Sequence, residues 1–364
     1  MKSNYKRLGQ YIQPVDIRNV NDCRYDLLGV SVEKRFIDSI ANTVGTDWRS
    51  YKIIKKGQFC YIPDTSRRGD KIGIALLSDR DIGLVSAVYT VFEIVSDELL
   101  PEYLMLWFSR PEFDRYARYH SHGSVREIFD WDEMCNVELP IPDIAEQKKI
   151  VDSYIAIENR ISILRKINDN LESQTFALYK SFIEGSDKDT MLSDIALITM
   201  GTSPDGESFN TDGNGDVFYQ GKSDFGFRFP TIRLYTTAGI KYARQGDILM
   251  SIRAPVGDVN IAKEDCAIGR GLAAIRSKDG CSSFLYYTMQ ELNVELNRFN
   301  DDGTVFGSIT KDDLFALKVV ALSLAQRKQF EMLANPIDTT IRNNEIELSE
   351  LQSLRFLFLS KLTN

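Results

Sequence analysis

Aliphatic residues recur at every seventh position along one stretch of the chain: Ile150, Ile157, Leu164, Leu171 and Leu178. Four residues after each stand Tyr154, Ile161, Asn168, Thr175 and Phe182. This is the a/d pattern of a helix that hides one seam, sustained over more than four heptads. The stretch 144–183 contains neither Gly nor Pro, so a single long helix is predicted there. Asp143 stands at its N-cap with Glu146 three residues on, close to a capping box, and Gly185 is a suitable stop.

A shift of 180 residues finds the same pattern again. The a positions become Phe330, Ile337, Asn344, Leu351 and Phe358, and the d positions Ala334, Ile341, Leu348, Arg355 and Leu362. Ser323 can cap this second helix, and Pro336 should kink it early. The register extends upstream: Gly123-Ser-Val-Arg-Glu-Ile-Phe-Asp-Trp-Asp-Glu-Met134 aligns without a gap on Gly303-Thr-Val-Phe-Gly-Ser-Ile-Thr-Lys-Asp-Asp-Leu314. An ungapped match of this length indicates an internal duplication. Earlier parts repeat more loosely. Gly57-Gln-Phe-Cys-Tyr-Ile62 resembles Gly246-Asp-Ile-Leu-Met-Ser251 at an offset of 189, and Tyr103–Phe108 resembles Phe284–Met289 at 181. Loops of different length in the two copies explain the changing offset.

Each helix of about 40 residues would be roughly 60 Å long. A lone seam of this kind needs a partner, and the two copies can supply each other by returning antiparallel. The expected seam comprises Ile150, Ile157, Ile161, Leu164, Asn168, Leu171 and Leu178, facing Ile337, Ile341, Asn344, Leu348, Leu351 and Phe358. Asn168 and Asn344 are polar seam positions of the kind that fix register. The competing arrangement is each helix packed on its own head.

The remaining segments read as short strands and turns, for example Ile72–Leu77, Val85–Val95, Asp247–Arg253 and Gly271–Arg276, with short helices over Pro101–Tyr119 and Ser282–Arg298. Gly201–Gly226, rich in Gly, Asp, Ser and Asn, reads as a mobile loop. The fold class expected is α+β. Two tandem α/β modules (1–142 and 185–322) are separated by two long helices (143–184 and 323–364). The helices form an antiparallel coiled coil, and the whole is an internal pseudo-two-fold repeat.

Composition narrows the function. No apolar run approaches the roughly 18 residues of a membrane span, and Met1–Arg7 lacks a signal-peptide core, so a cytoplasmic protein is expected. Cys23, Cys60, Cys135, Cys266 and Cys281 lie far apart, with no CxxC pair, which reads as reduced packing cysteines. The net charge is −8. Residues 1–142 hold 19 Lys and Arg against 21 Asp and Glu, and residues 185–322 hold 14 against 19. Any face for an anionic partner must therefore come from local placement or from a basic partner subunit.

Catalytic motifs are missing. There is no GxxxxGK[ST] phosphate loop and no GxGxxG after a strand. Asp212-Gly-Asn-Gly-Asp216 begins like a calcium loop but has Val217 where the turn glycine belongs and Ser223 where the closing Glu belongs. Asn335-Pro-Ile-Asp338 is a poor match to the Asn-Pro-Pro-aromatic motif of adenine methyltransferases and lies inside a heptad helix. His120 and His122, with no Cys nearby and no third imidazole, make a poor metal site. No nucleophile-elbow signature supports a Ser-His-Asp triad.

The sequence resembles the specificity subunit of Type I restriction–modification systems. Gly246-Asp-Ile-Leu-Met-Ser-Ile-Arg-Ala-Pro-Val-Gly257 and Cys266-Ala-Ile-Gly-Arg-Gly-Leu-Ala-Ala-Ile-Arg276 are similar to the family's second recognition domain. Leu139-Pro-Ile-Pro-Asp-Ile-Ala-Glu-Gln-Lys-Lys-Ile150 is similar to the start of its central helix. The chain departs from the family pattern at Val319–Lys328, which lacks the usual proline, and at Gly123-Ser-Val-Arg126, a degraded DNA-contact segment; it is also short.

The resemblance implies that each module is a target recognition domain reading one half of a split site in double-stranded DNA, with the helices as spacer. It implies two methyltransferase subunits docked on the helices, with restriction subunits as optional further partners. S-adenosylmethionine and ATP would belong to those partners, with no cofactor and no catalysis in this chain. Base contacts favour Arg, Lys, Asn, Gln, Ser and Thr on loops. The candidates are Arg67, Arg68, Lys71, His122, Ser124 and Arg126 in the first module, and Gln220, Lys222, Arg253, Arg270, Thr304 and Lys311 in the second. Each basic residue could equally be an ordinary solvated charge. Two other functions compete: a diverged methyltransferase or nuclease, and an interaction scaffold without DNA reading.

Overall fold

The computed structural model describes residues 5–39, 47–65, 71–123, 127–296, 307–320 and 322–362. The chain divides into two units, one of Met1–Leu164 with Glu347–Asn364 and one of Arg165–Ile346. Both divisions fall inside long helices, Ile144–Ile183 and Leu324–Lys361, so each unit is a head plus a stretch of both helices.

In the first unit β1 (Tyr5–Arg7) pairs antiparallel with β10 (Glu138–Pro140). An antiparallel sheet runs in the order β2 (Ile12–Val15), β9 (Thr90–Ile94), β6 (Phe59–Tyr61), β7 (Ile74–Leu76). A second sheet runs β4 (Phe36–Asp38), β3 (Leu27–Val30), β8 (Ile82–Val85), β5 (Lys52–Lys55), with β3 and β8 parallel. The stretch Val85–Val95, read from sequence with strand character throughout, supplies parts of two strands in different sheets, β8 and β9. Between them lies a turn in which Tyr89 N–H donates to Ser86 O. Helices Pro101–Phe108 and Pro111–Tyr119 cover the core. They are two rather than one because Arg110 precedes a proline and is held extended (φ −75°, ψ 140°). Phe59 stacks on Phe92 at 4.9 Å, and Phe108, Phe113 and Phe129 close the cluster around them.

The second unit repeats this frame. β11 (Thr190–Met191) pairs with β21 (Lys318–Val319), and an antiparallel sheet runs β12 (Ala196–Met200), β20 (Leu272–Ser277), β17 (Ile248–Ser251), β18 (Val259–Ile261). The other sheet runs β13 (Phe209–Asn210), β15 (Leu234–Thr236), β14 (Asp216–Tyr219), β19 (Cys266–Ile268), β16 (Tyr242–Ala243), with β14 and β19 parallel. Helix Ser282–Leu296 stands where the first unit has its helix pair. The stretch Gly201–Gly226 is not an open loop. Its Val217, Phe218 and Tyr219 are buried in β14, and the Asn210 side chain accepts from the backbone of Asp212 and Asn214 to shape the turn before it.

The duplication is visible atom by atom. Gly57 and Gly246 open their strands with φ of +85° and +86°, a conformation glycine enters without strain. Phe129 N–H donates to Pro63 O at 2.9 Å, and Ile309 N–H to Ile252 O at 3.1 Å. Thr65 N–H donates to Glu127 O at 3.0 Å, and Ala254 N–H to Gly307 O at 2.9 Å. In each pair one partner follows the 189 offset and the other the 180 offset, so the two sequence registers meet across one strand crossing.

The long helices begin as expected. Asp143 Oδ1 accepts from Glu146 N–H at 2.8 Å, and Ser323 Oγ and the Gln326 side chain cap each other's backbone. Gly185 sits at φ +72° just past the first helix. The second helix continues through Pro336 instead of stopping there.

Within each unit the two helices pair antiparallel. In the first unit Ile157, Ile161 and Leu164 pack with Leu348 and Leu351, Tyr154 lies 6.1 Å from Phe358, and Arg160 forms a double hydrogen bond with Glu347. In the second, Asn168 meets Asn344, and Phe330 packs edge-on to Tyr179. Ile341 is fully buried here, while Leu171 and Ile337 are half-buried.

The seam is not uniform, and the competing arrangement is also partly realised. Ile150 packs against the core of the first head and Leu178 against that of the second, rather than forming interhelical layers. Val151, Leu359, Tyr179, Phe330 and Ala334 are buried in the head cores, so the outer turns serve helix and head at once.

Candidate nucleic-acid interface

In the second unit a cleft of about 630 Å³ is lined by Gln220, Lys222, Arg253 and Arg270, together with Ser203 and the Ala254-Pro255 turn. Four residues chosen on chemical type alone are thus brought together from three separate loops.

Those loops are held from below. The carboxylate of Asp224, 3% exposed, accepts the backbone N–H of Gln220 at 2.7 Å and of Gly221 at 3.2 Å. Arg233 satisfies its other oxygen at 2.7 Å and reaches Ser223 Oγ at 2.8 Å. On the opposite wall Gly269 and Gly271 flank Arg270. A Cβ on Gly271 would lie 2.5 Å from Gln220 O, so only glycine lets the two loops touch. Arg270 N–H donates to Ser203 Oγ at 3.2 Å. The third loop turns on buried Ser251, whose hydroxyl donates to Pro255 O at 2.7 Å and accepts from Asp258 N–H at 3.0 Å.

The cations of the cleft are unequal. Lys222 is paired with Asp258. Arg253 and Arg270 are exposed, and neither guanidinium pairs with a carboxylate among the described residues. Two other arginines of this head are committed to buried carboxylates. Arg233 holds Asp224, and Arg276 grips Asp247 through two bonds of 2.6 Å. Lys311 does not join the cleft; it starts the short helix Lys311–Phe315 with its ammonium 5.2 Å from the Phe315 ring. Thr304 lies outside the described residues.

In the first unit Arg67, Arg68, Ser124 and Arg126 also lie outside the described residues. Residues flanking both segments meet: Thr65 Oγ1 bonds Ser121 Oγ at 2.9 Å, besides its backbone bond to Glu127. Lys71 is exposed. His122 is exposed, its backbone bonded to Ile128 in both directions and its Nε2 3.7 Å from Glu133. His120 Nδ1 is 3.1 Å from the same carboxylate, with its ring stacked on Tyr116. Among the described residues no group of three or more His, Cys, Asp and Glu could hold a metal ion.

Sequence reasoning missed Arg228, which is completely buried in the second unit. It pairs with Asp338 on one long helix and with Glu172 on the other, donates to Tyr287 Oη at 2.8 Å, and lies over the Tyr286 ring. Burial opposes its charge, but Tyr286, Asp338, Tyr287 and Glu172 outweigh that and hold its pKa above the ordinary arginine value. A cue was present, for Arg228 stands in Phe225-Gly-Phe-Arg-Phe-Pro230, an arginine inside an aromatic run.

Each unit combines a head built on one repeated frame with a paired stretch of the two long helices. Residues 188–352 match the Type I restriction modification DNA specificity domain. The chain is 30% identical over 277 residues to the type I restriction enzyme MjaX specificity subunit of Methanocaldococcus jannaschii, covering 70% of this chain and 64% of that one. It is 29% identical over 145 residues to the HindI specificity subunit of Haemophilus influenzae, covering 39% of this chain and 31% of that protein. The chain therefore spans under two thirds of the length of these curated relatives. The fold is shared with a Type I restriction-modification S subunit from M. genitalium, at a TM-score of 0.63 and 14% identity over 99% of this chain and 96% of that one. Residues 188–352 thus carry a Type I DNA specificity domain, and the chain is similar to Type I specificity subunits over 70% of its length. Among the described residues no helix is long and apolar enough to cross a membrane.

Proposed function

We propose that this protein is the sequence-reading subunit of a cytoplasmic Type I restriction–modification complex, binding a bipartite site in double-stranded DNA without catalysing a reaction itself. The observation that carries this reading is the cleft in the second head, where Gln220 and two arginines without a carboxylate partner among the described residues converge on loops fixed by buried polar groups. Positioned donors of this kind suit base edges in a groove. Two such readers on one spacer gain affinity through effective concentration, and two different heads read unrelated half-sites. The net negative charge agrees with partners that also grip DNA.

The partners would be two methyltransferase subunits bringing S-adenosylmethionine, with ATP-dependent restriction subunits as further members. The long helices offer apolar side chains for docking. In the first unit Phe356 and Leu357 are exposed, and in the second Met332 and Leu333 are. Met332 is 71% and Phe356 60% exposed, unusual for such side chains unless they are covered in an assembly.

Methylome sequencing of a host carrying this chain with its methyltransferase tests the proposal. The expected result is a bipartite motif with methylated adenine, one half of which changes when residues 1–142 are exchanged for another member's module. Methylation or cleavage by the purified chain alone would point to an enzyme. Partner docking without selective DNA binding would point to a scaffold.

A further inference from the structure

We propose that the second head recognises guanine, with Arg253 and Arg270 each donating to the N7 and O6 acceptors of a guanine in its half-site. This deepens the DNA-reading role above and rests on it.

The argument begins with charge. Arg228, Arg233 and Arg276 are each spent on carboxylates at least four-fifths buried, and Lys222 is paired with Asp258. Arg253 and Arg270 alone line the cleft without a carboxylate partner among the described residues. An external acceptor is what these two side chains are free to take.

The second step separates base from phosphate. A phosphate contact needs only a positive charge within reach, whereas a bidentate base contact needs the planar guanidinium fork presented in one orientation. Both arginines sit on backbone pinned on each side. Next to Arg253, Ile252 N–H donates to Gly271 O at 3.0 Å and Ala254 N–H to Gly307 O at 2.9 Å. Arg270 lies between two glycines packed on Gln220, and Gly269 N–H donates to Tyr219 O at 2.8 Å. Arginine held this way pairs with guanine in the major groove, where N7 and O6 form a matching pair of acceptors.

The third step is the contrast between heads. The strand crossing that pairs Arg253 with Ser308 pairs Asp64 with Ile128 in the first unit. A carboxylate at the Arg253 position cannot donate to guanine, so the first head does not make this contact from the same strand crossing.

The test uses the chain assembled with its methyltransferase and duplexes carrying the motif found by methylome sequencing. The half that responds to exchange of residues 185–322 should contain guanine at two or more positions. Replacing one such guanine by 7-deazaguanine, which lacks the N7 acceptor, should weaken binding by the complex about tenfold. Arg253→Ala and Arg270→Ala should each abolish the penalty at one guanine and admit other bases there, leaving the other half-site unchanged. Uniform weakening on all duplexes with a shallower salt dependence would assign the arginines to phosphates and overturn the proposal. Indifference to 7-deazaguanine in the unsubstituted complex would overturn it as well. Absence of any bipartite adenine motif would instead bring down the underlying reading, and this inference with it.

Discussion

Asn344 donates through its Nδ2 to Asn168 Oδ1 at 2.8 Å, so two polar side chains on the apolar seam of the long helices satisfy each other. Asn168 also donates to Glu345 at 2.8 Å and is 1% exposed. A pair of this kind stabilises little in absolute terms but penalises every register that separates it. Replacing Asn168 alone by Leu strands the Asn344 amide and the Glu345 carboxylate, and should lower the stability of the second unit by about 1–3 kcal/mol. The double replacement Asn168→Leu with Asn344→Leu should recover the part of that loss due to the Asn344 amide, while Glu345 still lacks its donor. Chemical denaturation in a double-mutant cycle measures the coupling, and additive effects of the two substitutions would show that the amides do not depend on each other.

The seam and its polar positions were legible because helical periodicity is a local property that needs no knowledge of the heads. Caps at Asp143 and Ser323 were legible for the same reason. The limits appear where packing is decided by distant residues. Nothing near Leu178 says that Tyr179 will be the buried neighbour; the head core around Phe284 and Tyr287 decides it. Gly201–Gly226 has loop composition, yet β19 recruits Asp216–Tyr219 as a parallel partner from far along the chain. The cleft residues were chosen by type, and only folding showed that Lys222 is neutralised by Asp258 while Lys311 stands elsewhere.

Arg228 offers a stringent check on how the second head is attached to the helices. Removing one member of a buried ion network leaves the other charges uncompensated, so Arg228→Met should destabilise the second unit by about 3–5 kcal/mol. The combination Arg228→Met, Glu172→Gln and Asp338→Asn removes the stranded charges and should restore much of the loss. Thermal or urea unfolding of the single and triple variants reports the difference. A triple variant no better than the single one would mean that the arginine acts through packing on Tyr286 rather than through charge.

The pH dependence of the same unit has a defined sign at Asp279. Burial alone would raise its pKa, but Ser277, the Cys281 N–H and the Arg327 guanidinium outweigh burial and hold it below the usual carboxylate value. A depressed pKa means that the ionised form is favoured by folding. Its contribution is therefore present above the unfolded value near 3.8 and is lost as pH falls through the folded value. Asp279→Asn should destabilise the protein at pH 7, and the difference from the unsubstituted protein should shrink as pH is lowered below 4. A constant difference across that range, read by urea unfolding at each pH, would contradict the assignment.

Gly271 links the stability of the cleft to its recognition. A methyl group there would press on Gln220 O at 2.5 Å and on Gly221 Cα at 3.3 Å, both backbone atoms that cannot rotate away. The loops bearing Gln220 and Arg270 must part to accept it, although neither the Arg270 side chain nor the core beneath is altered. Gly271→Ala should therefore keep the overall fold, judged by circular dichroism, while weakening selective DNA binding by the assembled complex at least as much as Arg270→Ala does. The effect should fall on the half-site of the second head alone, because the first head stands on its own copy of the frame. If Gly271→Ala bound DNA with unchanged selectivity, the spacing of these two loops would have no part in reading the sequence.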